Sequence, residues 1–76
     1  MNTAKAANHA KFDLAVDYEL RARFWYDSGT GIRDRRLAVE DYDGEYVRGQ
    51  SFDESGNPEG YRQFIVDNIV GPVTVR

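Results

Sequence analysis

Eight of the ten basic residues in this 76-residue chain are arginines, and seven of them, Arg21, Arg23, Arg33, Arg35, Arg36, Arg48 and Arg62, fall within or beside stretches that read as β-strands. A guanidinium is a planar fork that grips phosphate or carboxylate through paired hydrogen bonds and stacks on rings. In Tyr61-Arg62-Gln63-Phe64-Ile65-Val66-Asp67-Asn68-Ile69, Phe64 and Val66 face one way, Gln63 faces the other, and Asp67-Asn68 favours a turn. Arg62 thus stands at the start of a half-buried strand, where rigid backbone could present it to an anion. The competing assignment for each arginine is a pairing with a nearby acid, which contributes little on a surface. Strict alternation also places Trp25, the only tryptophan, on the face of Arg21 and Arg23 and away from Phe24 and Tyr26. If that face is open, it is a stacking platform flanked by cations, suited to single-stranded nucleic acid at about 1–3 kcal/mol per base or to a protein partner that uses an aromatic anchor. If the helix or the last strand covers it, Trp25 is core.

Other chemistry finds no support in the residue types. His9 is the only histidine and lies in an N-terminal lead-in with no second ligand in sequence reach, which argues against a metal or general-base role. Glu40-Asp41-Tyr42-Asp43-Gly44-Glu45 lacks the alternating oxygen ligands and the later bidentate glutamate of a calcium loop, so it reads as a solvated turn. Ser28, Ser51 and Ser55 have no evident base and orienter. Gly29-Thr30-Gly31 has no following helix to cradle a phosphate. The expectation is a non-catalytic protein without metal or cofactor.

The formal charge of −3 argues against whole-molecule attraction to nucleic acid, so any such binding needs local sorting of charge. Absence of cysteine excludes disulfides and points to a reducing, cytoplasmic setting. Residues 1–10 carry no continuous apolar run, fit neither a signal peptide nor a membrane span, and are expected to be a flexible lead-in. Residues 11–76 read as a single domain. Lys11–Tyr18 places Phe12, Ala15 and Val16 at helical spacing. From Leu20 the period becomes two, with Leu20, Ala22, Phe24 and Tyr26 on one face. Asp27–Gly31 reverses the chain, a return strand runs from about Ile32 to Glu40, and Asp41–Gly44 turns again. A third strand spans Glu45 to about Phe52, Asp53–Gly60 is an exposed loop, Tyr61–Val66 is the fourth strand, and Val73 and Val75 close the chain. These signals predict a mainly β fold, a small five-stranded SH3/Sm-like barrel behind one short N-terminal helix; closure would remove edges that so short a chain could hardly protect.

The order of Phe12-Asp13-Leu14-Ala15-Val16, Arg21-Ala22-Arg23-Phe24-Trp25-Tyr26, Arg35-Arg36-Leu37-Ala38-Val39, Glu45-Tyr46-Val47 and Tyr61 through Ile69 resembles a WYL domain over roughly residues 12–75. That resemblance implies a small barrel similar to Sm and SH3 folds, found in bacterial transcription regulators and phage-defence proteins, with a basic pocket for nucleic acid or a nucleotide-type ligand. Tyr46 matches the central signature position, Val47 replaces its Leu, and Glu45 stands where its Trp would be. Arg62, Asp67 and Ile69 match the closing motif, whereas Asn68 stands where its second Arg belongs. Losing one cation and gaining an acid weakens phosphate affinity. There is no helix-turn-helix ahead of the barrel, so a free-standing protein or an excised domain is expected rather than a two-domain regulator. The resulting ligand set is Arg36, Tyr46, Arg48 and Arg62. The partner-protein alternative, of phage or mobile-element origin, uses Arg21, Arg23 and Trp25. Oligomeric state is left open.

Overall fold

Residues 3–76 are described by a computed structural model. The chain runs α1 (Thr3–Tyr18), β1 (Arg21–Asp27), β2 (Ile32–Tyr42), β3 (Tyr46–Phe52), β4 (Pro58–Ile65), a 3₁₀ turn (Val66–Asn68) and β5 (Ile69–Val75). All pairings are antiparallel, in the order β4-β3-β2-β1-β5. The mainly β architecture with one N-terminal helix is the one the periodicity indicates. Closure is not: β4 and β5 remain the two edges of an open sheet.

A helix explains why β5, paired with β1 on one side, needs no second strand partner on the other. The alanine-rich start of α1 favours helix, so the element begins at Thr3 and residues 3–10 form its first half rather than a lead-in; residues 1 and 2 lie outside the described residues. Asn8, Phe12 and Ala15 make the buried stripe. Asn8 Oδ1 accepts the Val73 N–H at 2.8 Å, its Nδ2 donates to the Gly71 carbonyl at 2.9 Å, and Lys11 Nζ donates to the Val73 carbonyl at 2.6 Å. Two side chains therefore do for the β5 edge what a sixth strand would do. Near the other edge, the Tyr26 hydroxyl accepts the Ile65 N–H at 3.1 Å, tying β1 to β4 without strand pairing.

The core lies between α1 and the side of the sheet that carries Phe24, Leu37, Val47 and Phe64. Its rings meet edge to face: Phe12–Phe24 at 5.9 Å, Phe24–Phe64 at 5.3 Å and Tyr26–Phe64 at 4.8 Å. Each such pair contributes about 0.5–1.5 kcal/mol beyond simple burial. The opposite, outer side carries Arg21, Arg23, Trp25, Asp34, Arg36, Arg48 and Phe52 by strand alternation.

The β2–β3 turn is organised by Asp43. Its Oδ1 accepts the Tyr46 and Glu45 N–H groups at 2.8 and 3.0 Å, and its Oδ2 takes Arg48 Nη2 at 3.0 Å. Those backbone donors, with Arg48, hold its carboxyl down at about 2, below the ordinary 3.8. Because the folded value is depressed, this stabilisation is present above the unfolded value and is lost as pH falls from about 4 through about 2. In acid titrations of stability, Asp43→Asn is expected to lie below wild type at pH 7 and to converge with it near pH 2. Parallel curves for the two proteins would contradict this role for Asp43.

Candidate functional site: an arginine cleft on the outer face

The turn between β1 and β2 sets a register in which Arg23 stands directly opposite Arg36. Arg21 lies on the same face one alternation away, and Arg36 is in turn opposite Phe52 on β3. The end of β5 brings in Arg76, whose backbone exchanges two 3.0 Å hydrogen bonds with Arg21. Together Arg21, Arg23, Arg36, Arg76 and Phe52, with Thr74 and Gly56, line an open cleft of about 480 Å³. The Arg21 guanidinium carbon lies 4.5 Å from the Phe52 ring centroid, a cation–π contact that holds the side chain over the aromatic face.

One carboxylate, that of Asp34, organises two of these cations, Arg23 and Arg36. Arg23 Nε donates to both Asp34 oxygens at 3.2 Å and its Nη2 donates to Oδ2 at 2.8 Å. Arg36 Nη2 lies 3.8 Å from the same carboxylate, and Arg36 Nη1 donates to the Glu54 carbonyl at 2.8 Å. The hydrogen bonds that Arg23 donates to Asp34 raise its already high pKa, so the cation is permanent. The β3–β4 loop that supplies the Glu54 carbonyl is itself fixed by Asp53, whose Oδ1 accepts the Ser55 and Asn57 N–H groups at 2.9 Å. These hydrogen bonds, that of Asn57 foremost, hold the Asp53 carboxyl below its ordinary value.

The four residues expected as a ligand set do not converge. Arg36 is in the cleft. Arg48 lies four residues along β3 from Phe52, where it bridges Asp41 at 2.6 Å, Asp43 at 3.0 Å and Gln63 at 2.8 Å. It stands 5.5 Å from the Tyr46 ring, so those two meet each other but not the rest. Arg62, within β4 rather than at its start, is opposite Gly49 on the side of the sheet that carries Phe64. The reason is parity: Arg48 and Arg62 are in neighbouring strands but out of phase, so their side chains leave opposite sides of the sheet. By contrast Arg21, Arg23 and Trp25, expected on one face, share it. Trp25 is 51 % exposed, is opposite Val70 and Asp34, and borders a second cleft lined by Ile32, Arg33, Asp34 and Arg35 with Asp53, Glu54 and Glu59.

Phe52, Asp34 and Arg76 were not singled out by sequence. Alternation alone could have added Asp34, which shares the Arg36 face two residues earlier. Phe52 required the β2–β3 register, and Arg76 required the pairing of β5 with β1, which sets its backbone against Arg21.

His9, expected in a flexible lead-in with no second metal ligand in sequence reach, lies on α1 and is held between two side chains. Its Nδ1 meets the Tyr42 hydroxyl and its Nε2 lies 3.0 Å from Asp67 Oδ1. Burial, then the charges of Asp13, Asp67 and Asp43, raise the Tyr42 pKa, which keeps the phenol protonated. His9 hydrogen bonding depresses the Asp67 pKa. The group fastens α1 to β2 and the 3₁₀ turn. Among the described residues no three His, Asp or Glu side chains are grouped as a metal site, and no helix is long and apolar enough to cross a membrane.

The fold and the cleft define a class, a small open-sheet β protein with an arginine-lined outer face. No family model matches the chain, and no curated protein or solved structure matches it either.

Proposed function

We propose that this chain is a non-catalytic binding module for a phosphate-bearing ligand, a single-stranded nucleic acid or a nucleotide-type molecule, held in the Arg21, Arg23, Arg36 and Arg76 cleft. The observation that carries this reading is the local charge: four arginines and one aromatic residue line a cleft in which, among the described residues, the ion pairs are those of Arg23 and Arg36 with Asp34, in a molecule of net charge −3. Phosphate oxygens would take the unengaged guanidinium donors, and a base would stack on the Arg21–Phe52 pair. The resemblance to WYL domains supports the same ligand class and a cytoplasmic role in transcription regulation or phage defence. The positions matched to that family, Tyr46, Arg62, Asp67 and Ile69, lie outside the cleft, so the assignment rests on the cleft's own geometry.

Fluorescence anisotropy with a labelled single-stranded oligonucleotide tests the reading. Wild type is expected to bind at low salt with an affinity that falls as salt rises, and Arg36→Ala to weaken binding about tenfold while flattening the salt slope by about 0.7, one phosphate contact. Equal binding by wild type and Arg36→Ala would remove the cleft from the account.

A second reading, a protein-interaction module, draws on the outer apolar residues Trp25, Ile32 and Val70, all exposed. Trp25 and Val70 are cross-strand neighbours, which makes a contiguous anchor beside the cations. A chain that shows no oligonucleotide binding at low salt would leave this reading standing.

A further inference from the structure

Arg23 and Arg36 are directly opposed across β1 and β2, a placement in which like charges repel. Asp34, two residues before Arg36 on the same face, resolves the conflict. Its side chain is only 6 % exposed, it holds Arg23 through three donor contacts, and it lies 3.8 Å from Arg36. No other acidic side chain forms an ion pair with either arginine among the described residues.

Building on the assignment of the cleft as the ligand site, we infer that Asp34 is its specificity-determining residue: its carboxylate is a resident counter-anion that aligns Arg23 with Arg36 and occupies donors a ligand phosphate would otherwise take. A singly charged ligand gains little by competing with a fixed, bidentate carboxylate. A phosphate ester chain or a phosphate dianion brings more charge and more acceptor oxygens, and can engage Arg21, Arg36 and Arg76 while Arg23 stays aligned. Asp34 thereby screens out ordinary carboxylates and restricts the cleft to polyanionic phosphates. Asp34→Asn keeps an oxygen that can accept from Arg23 Nε but deletes the charge, so it should open the cleft to anions in general.

The test compares melting temperatures of wild type, Asp34→Asn and Asp41→Asn in rising inorganic phosphate, against sodium chloride at matched ionic strength. Asp41→Asn makes the same charge change beside Arg48, outside the cleft. Asp34→Asn is expected to melt below wild type in chloride and to gain at least twice the wild-type increment from phosphate, since binding to the folded state stabilises it. Asp41→Asn should track wild type. In oligonucleotide titrations, Asp34→Asn should steepen the salt slope by about 0.7, one additional guanidinium available to phosphate. Equal phosphate increments for wild type and Asp34→Asn, an Asp41→Asn response matching that of Asp34→Asn, or an Asp34→Asn protein that stays unfolded at every phosphate concentration would each overturn the role given to Asp34. Failure of the cleft itself reads differently: wild type and Arg36→Ala would then bind the oligonucleotide alike.

Discussion

Gly49→Ala is expected to abolish cooperative folding or to lower the melting temperature by more than about 15 °C, taking 4–8 °C per kcal/mol for a domain of this size. A Cβ at this position would lie 1.9 Å from the Ala38 carbonyl oxygen and 2.9 Å from its carbon. Both are backbone atoms of the paired strand, so no side-chain rotation can relieve the overlap. The β2–β3 register shifts between Val39 and Asp41, and Gly49 is opposite Val39 at the edge of that irregularity. Strands that must separate there lose the central pairing of the sheet and with it the Arg36–Phe52 juxtaposition. Overpacking commonly costs about 1–3 kcal/mol where side chains can yield; against fixed backbone we expect the cost to exceed about 3 kcal/mol, a large part of a total that is about 5–15 kcal/mol for native domains. Gly44→Ala is the contrast. Its φ of +98 strains an alanine, but nothing lies within 4 Å of the new atom, so the cost should stay near 1–2 kcal/mol. Thermal melts of the two variants decide it, and a Gly49→Ala protein that melts within about 5 °C of wild type, about 1 kcal/mol, would contradict the packing described at this crossing.

Asn8→Ala carries the second large effect. The side chain is 1 % exposed and satisfies both the Val73 N–H and the Gly71 carbonyl. Truncation removes two hydrogen bonds and leaves at least the buried Val73 N–H without a partner, and an unsatisfied buried group costs about 1–3 kcal/mol. The sum predicts a loss of about 2–4 kcal/mol in chemical denaturation. Hydrogen exchange gives the local signature: the Val73 amide should lose protection beyond the global change, whereas amides of β2 and β3 should change only with global stability. Unaltered Val73 protection would show that α1 does not seal the β5 edge as described.

These residues also mark what the sequence could and could not disclose. Alternation from Leu20 to Tyr26 and from Leu37 to Val39 correctly separates core from outer face, because a one-residue slip would expose the whole apolar set. The turn signals Asp27–Gly31 and Asp41–Gly44 place the reversals for the same local reason. Closure into a barrel was not legible. Whether β5 pairs with β4 or is covered by α1 depends on Asn8, an ordinary polar residue in a segment that has no strong helical periodicity. The ligand set fared similarly. Arg21, Arg23 and Trp25 share a face because they belong to one strand, which alternation reveals. Arg36, Arg48 and Arg62 belong to three strands, and their relative positions depend on register, a bulge and the parity of neighbouring strands. Arg48 moreover has two carboxylates within ion-pair reach that lie five and seven residues away in the chain, so it serves the β2–β3 turn.

The most direct measurement is an amide chemical-shift titration of the labelled protein with a short single-stranded oligonucleotide at low salt. The account predicts fast, salt-sensitive shifts concentrated at Arg21, Arg23, Arg36, Phe52 and Arg76, with the amides of Arg48 and Arg62 nearly unmoved. Shifts centred on Arg48 and Arg62 instead, or none at any of the cleft arginines, would contradict it.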